Sequence, residues 1–160
     1  MYFINDFLVL YYISQVFERQ VILMARADLA SYRIRKIDLE NNIERNGQVK
    51  INNTFSFSVK FLANPSTGEQ VSAVATLTEI VKSDTDFTFT LTIEGMFKLT
   101  DTFSEEDKRE VHEICYDMLF PYAGQLVSNL VASCGMPGLV LKKIPIKKES
   151  IRFGTPDTVS

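Results

Sequence analysis

The chain has 160 residues, of which 46% are hydrophobic and 23% charged, with a formal net charge of −3. That length fits one domain with a core of its own, and the composition excludes a chain disordered throughout. The acidic balance argues against a general nucleic-acid binder, which carries a basic excess.

The opening residues 1–23 are apolar but interrupted by Asn5, Asp6, Ser14, Gln15, Glu18 and Arg19. An integral membrane segment needs about 20 mostly apolar residues in a row. A signal peptide begins with positive charge, whereas the first charge here is Asp6. Ala25-Arg26-Ala27 does imitate a small-x-small cleavage site, so secretion is the alternative to a cytoplasmic protein. Met24 reads as a natural start, which makes 1–23 an extension that is not native to the fold. Residues 24–146 then form the domain and 147–160 a basic tail.

From Ser31 to Thr100 the pattern predicts four strands separated by turns. The first covers 32–40 and ends at Asn41-Asn42. The second, 49–63, puts Phe55, Phe57, Val59 and Phe61 on one face and Ser56, Ser58 and Lys60 on the other. Asn64-Pro65-Ser66-Thr67-Gly68 supplies a turn, since proline presets φ and glycine accepts positive φ. The third strand, 70–82, is apolar on both sides through Val71, Val74, Leu77 and Ile80, so it belongs inside the sheet. After Ser83-Asp84-Thr85-Asp86, Phe87, Phe89, Leu91 and Ile93 alternate with Thr88, Thr90, Thr92 and Glu94. Connections this short hold no crossover helix, which makes neighbouring strands antiparallel.

Beyond Asp101 the period changes to about 3.6. Ser104 followed by Glu105, Glu106 and Asp107 is a helix start, with acids on the positive end of the dipole. Val111, Ile114, Cys115, Met118 and Leu119 form one stripe. Pro121 is expected to kink or break this helix, because it lacks an N–H. A second run, 121–133, carries Leu126, Val127, Leu130 and Val131, and Gly135 reads as its C-cap. Met136 to Leu141 leaves the helix as an extended apolar loop. Strands followed by helix indicate an α+β domain: a four-stranded antiparallel sheet with a long, Pro-kinked helical segment packed on it.

Catalytic and metal sites find no support in the sequence. His112 and Cys115 stand one helical turn apart, but two ligands do not close a zinc site, and a solvated histidine beside a buried cysteine is the plainer reading. Cys115 and Cys134 form no CxxC pair and suit a reducing compartment. Glu105, Glu106 and Asp107 are accounted for by helix capping. No P-loop or GxGxxG is present, so no cofactor is expected. The surplus of apolar surface is the unusual feature. It points to burial in an oligomer or to a hydrophobic binding groove.

Met118-Leu119-Phe120-Pro121-Tyr122-Ala123, then a helix, then Gly135-Met136-Pro137-Gly138-Leu139-Val140-Leu141 and Ile144-Pro145-Ile146, resembles the signature stretch of SecB-type export chaperones. Glu94-Gly95-Met96-Phe97 resembles the end of that family's fourth strand. The resemblance implies an ATP-independent holdase that binds unfolded or preprotein polypeptides in a hydrophobic groove and serves protein export or antitoxin protection. It implies a homotetramer, a dimer of dimers. Carried over by position, the groove includes Phe55, Phe57, Val59, Met136, Leu139 and Leu141, and the helix pairing uses Tyr122, Leu126 and Leu130. Two departures count against coupling to SecA, the translocation motor. Glu40 keeps one acidic position of its docking face, but Lys36 and Thr90 fall where acids are expected, and the basic tail does not resemble the family tail. A carrier of a small hydrophobic ligand is the alternative from another class, with a closed pocket in place of an open groove.

Overall fold

The structure, a computed structural model, describes residues 26–44, 50–84, 86–100, 105–136, 139–147 and 151. The extension 1–23, the start at Met24, the cap at Ser104, Pro137 and Gly138 of the apolar loop, and most of the tail lie outside the described residues.

Four strands, β1 (Ala27–Asn41), β2 (Ile51–Ala63), β3 (Gln70–Ser83) and β4 (Phe87–Leu99), precede one helix, α1 (Glu105–Ser133). They make a single sheet in the order β1-β4-β3-β2, with every pair antiparallel. β2, β3 and β4 form the meander that their short turns dictate. At the first turn Gly68 takes φ +73°, and the Asn64 side chain accepts a hydrogen bond from Ser66 N at 2.9 Å. β1 does not pair with its sequence neighbour β2. It lies on the far edge beside β4, and Asn42 N donates to Asp86 O at 2.7 Å where the chain turns away. The connection from 42 to 50 is long enough to carry the chain across the sheet end, which a tight hairpin is not.

Strict alternation divides the sheet. Ala73, Ala75, Leu77, Glu79 and Val81 of β3 and Phe87, Phe89, Leu91, Ile93 and Phe97 of β4 are buried under α1. The opposite face carries the hydroxyl-rich positions, with Thr78 and Thr92 hydroxyls 3.0 Å apart. From the helix, Val111, Cys115, Leu119, Ala123, Val127 and Val131 form a line at i, i+4 that closes the core. The closest approach is at Gly95: a Cβ there would stand 2.9 Å from Phe97 Cε2, 3.0 Å from Leu119 Cδ1 and 3.1 Å from Leu29 Cδ1. Arg26 ties the start of β1 to the first turns of α1 through Asp107, at 2.6 Å, and Glu110.

The helix runs through Pro121 unbroken, in place of the two runs that the proline suggests. Pro121 leaves the carbonyl of Asp117 without its helical donor. Both residues face solvent, which leaves that carbonyl open to hydration, and the packed face on the other side holds the helix together. The C-terminus is a Schellman arrangement: Met136 N donates to Val131 O at 3.2 Å, Gly135 N donates to Ala132 O at 3.0 Å, and Gly135 has φ +86°.

Candidate functional site

Beyond Gly135 the chain turns back along α1. The Ser128 hydroxyl donates to Leu139 O at 2.9 Å, and Lys143 Nζ reaches Asp117 Oδ1 at 2.6 Å. Residues 139–147 therefore form a strap that runs towards the N-terminal half of the helix. Leu141 is buried beneath it, Met136, Leu139 and Ile146 pack half-buried against the core, and Val140 points outward at 78% exposure. Ile151 is also buried, so the tail is not solvated along its whole length.

Beside α1 and the strap stands the edge strand β2, whose Phe55, Phe57, Val59 and Phe61 are half-buried against the core. Only one sheet neighbour covers an edge strand, so these rings keep an open side. The Phe55 ring stacks on Tyr116 with centroids 5.4 Å apart, and Phe57 meets His112 at 4.9 Å and Tyr116 at 5.3 Å. Tyr116 is thus where β2 and the strap both reach α1. Phe55 and Phe57 approach it from β2, and Lys143, 5.9 Å above the ring centroid, approaches from the strap. The sequence reading placed Phe55, Phe57, Val59, Met136, Leu139 and Leu141 around a groove but passed over Tyr116 itself.

The seam between β2 and α1 is chemically odd. Among the described residues, five buried side-chain atoms have no hydrogen-bond partner: Asn53 Oδ1, both oxygens of Glu79, His112 Nδ1 and the Tyr116 hydroxyl. All lie on this seam. A buried polar group left unpaired costs about 1–3 kcal/mol, so the closed seam is held by its aromatic contacts against a polar penalty. Glu79 is 1% exposed, and burial raises its pKa to about 7; Asn53 beside it works the other way without closing a bond of ordinary geometry. His112 is buried rather than solvated, a correction to the sequence reading, because residue 112 falls on the same stripe as Cys115 and Tyr116. Burial lowers its pKa to about 4. Tyr116 is raised to about 12, first by burial and then by the charge of Glu79, while the Ile144 backbone beside it works the other way without closing a bond of ordinary geometry; burial raises Cys115 to about 12. Both cysteines are free thiols. No group of three metal-ligating side chains occurs among the described residues.

A second apolar surface lies at the opposite edge. Tyr32, Ile34, Ile37 and Leu39 of β1 pair with Gly95, Ile93, Leu91 and Phe89, which puts them on the helix side of the sheet, yet they are 40–46% exposed. The Tyr32 and Tyr122 rings, 4.5 Å apart, join this stripe to α1. Tyr122 is exposed, while Leu126 and Leu130 are half-buried against the core. The stripe escaped the sequence reading because a register shift at Ile34/Lys36 breaks its alternation.

A family model for the preprotein translocase subunit SecB matches residues 32–148. The chain belongs to the SecB family. Its members are chaperones and not enzymes. Among solved structures the chain is similar to the SecB-like chaperone Rv1957 of Mycobacterium tuberculosis, determined in complex with a ChAD peptide from the antitoxin HigA1. That match has 18% identity, a TM-score of 0.58, and covers 78% of this chain and 95% of the other. A protein of unknown function from Streptococcus agalactiae is similar at 19% identity and a TM-score of 0.54, over 73% of this chain and 97% of its own. At these identities the likeness carries the fold: a four-stranded antiparallel sheet with one long helix packed on it. No curated protein matches the chain. No helix among the described residues is long and apolar enough to cross a membrane.

Proposed function

We propose that this SecB-family chain is a cytoplasmic, ATP-independent holdase that binds unfolded polypeptides along the seam of β2, α1 and the strap. The observation that carries the reading is the row Phe55, Phe57, Val59 and Phe61, held half-open on an edge strand beside a strap whose half-buried Leu139, with Met136 before it, supplies a second apolar wall. Covering one large apolar side chain contributes about 1.5–3 kcal/mol. Ordering a flexible client removes much of that, so single contacts are weak and several grooves on one assembly recover affinity by avidity. The assembly is a homotetramer in which the β1 stripe and the α1 flank around Tyr122, Leu126 and Leu130 are covered by other copies.

Its clients are SecA-independent, of the antitoxin kind. The face opposite α1 favours this: Glu94 is neutralised by Arg33 at 2.8 Å, Lys36 sits 3.5 Å from Asp38, and Lys60, Lys82 and Lys98 alternate onto the same face. Light scattering of an aggregating unfolded protein tests the reading, with and without the chain and with no nucleotide. Suppression near one tetramer per client supports it. Unchanged aggregation at a large excess of chain refutes it.

A further inference from the structure

Among the described residues Glu79 is the one carboxyl in the core, and nothing in the holdase reading needs it. It lies on the central strand β3, opposite Phe55 on one side and Leu91 on the other, under the helix turn that carries Tyr116. Both oxygens lack a partner, and the other three orphaned polar atoms, on Asn53, His112 and Tyr116, line the same seam. From α1 the titratable groups nearest the seam are His112, Cys115 and Tyr116, with Asp117 beyond. From the strap there is Lys143, already held by Asp117; from β2 there is only the uncharged Asn53, and from β4 the apolar Leu91. No cation lies within ion-pair reach of Glu79 among the described residues.

A carboxyl so placed is tolerated as the neutral acid and not as the anion, since an ionised group in an apolar site without a counter-charge is costly. The cheapest relief for the anion is hydration, and water reaches Glu79 when Phe55 swings out from Tyr116 at the sheet edge or the strap lifts. Both movements uncover the apolar surface assigned above to clients. We propose that Glu79 is a proton-operated latch: protonated, it lets Phe55 and Tyr116 close the seam between β2 and α1, and ionised, it draws water in and opens that seam. The link from opening to client binding rests on the holdase reading; the latch itself does not. The burial-raised pKa, about 7, would place the transition near neutrality.

Hydrogen exchange of the full-length protein at about pH 6 and about pH 8.5, normalised to the intrinsic exchange rate at each pH, tests the latch. Protection in 53–61 and 112–120 is expected to fall about tenfold or more on raising the pH, with β4 unchanged. Glu79→Gln is expected to keep high protection at both pH values, and Glu79→Leu serves where the amide is not accommodated. A pH-independent wild type overturns the proposal, as does a variant that shows the same fall. Aggregation assays at the same two pH values read the link separately. Stronger holding at high pH in the wild type alone supports it. A seam that opens without any change in holding keeps the latch and removes its tie to clients.

Discussion

Glu79 and His112 are buried along one seam, and burial drives their proton equilibria in opposite directions: the acid up to about 7 and the imidazole down to about 4. For Glu79 the stabilising neutral form is matched by the unfolded chain below pH 4.5, and stability is lost as pH rises from 4.5 to about 7. For His112 the loss runs the other way, as pH falls from 6.5 to about 4. Each full proton difference gives a slope of about 1.4 kcal/mol per pH unit. The two slopes oppose each other between pH 4.5 and 6.5. Chemical denaturation across that window should therefore be nearly flat for the wild type. Glu79→Gln should become more stable as pH rises, and His112→Leu less stable. Parallel curves for all three would show that the pair does not govern the profile.

Phe57 and Leu141 were assigned together to the client surface, but their surroundings differ. Leu141 is 6% exposed, whereas Phe57 is half-buried on an edge strand. Truncating a buried leucine costs about 2–5 kcal/mol. Leu141→Ala should lower the melting temperature and loosen the strap, visible as faster exchange at 139–147. Phe57→Ala should cost less stability and weaken anti-aggregation activity several-fold. If Phe57→Ala folds and holds clients normally, that ring is not part of the client surface.

The meander and the helix could be read from the sequence because their alternation and 3.6-residue period are local properties. The position of β1 could not: pairing with β4 instead of β2 depends on a crossing at the sheet end that leaves no periodic trace. Glu79 was missed for a more instructive reason. Reading Val71, Val74, Leu77 and Ile80 as two apolar faces hides the strict period-two row Ala73, Ala75, Leu77, Glu79 and Val81, which would have placed the acid in the core. Tyr116 was passed over because its neighbours Ile114 and Cys115 already account for an apolar stripe, and only the rings of Phe55 and Phe57 reveal its position. The resemblance to SecB chaperones supplied the groove and interface residues; periodicity alone would have given them only as apolar.

Gly95 has no side chain because three others occupy its space, the nearest being Phe97 Cε2 at 2.9 Å from the missing Cβ. Forcing a methyl group into a filled site costs about 1–3 kcal/mol. Gly95→Ala should be destabilised by that order. Phe97→Leu removes the nearest atom, so the double variant should be less destabilised than the sum of the singles. Strict additivity in denaturant melts would mean that the helix, and not the Phe97 ring, sets the limit at this position.

The β1 stripe gives the assembly its sharpest test. Ile34 and Ile37 are 44% and 46% exposed on the helix side of an edge strand, next to Tyr32, whose ring meets Tyr122 of α1 at 4.5 Å. Neither isoleucine belongs to the core cluster, so a charge at these positions should leave the isolated fold intact. In an interface the same charges would be buried without partners, which costs several kcal/mol for each. Ile34→Glu with Ile37→Glu should therefore convert a tetramer of the wild type into smaller species while the circular dichroism spectrum stays the same. Tyr122→Glu should act in the same direction from the helix side. Sedimentation velocity at micromolar concentration reads both. A wild-type monomer would remove the oligomer from the proposed function. A tetramer indifferent to all three charges would place its interface elsewhere on the molecule.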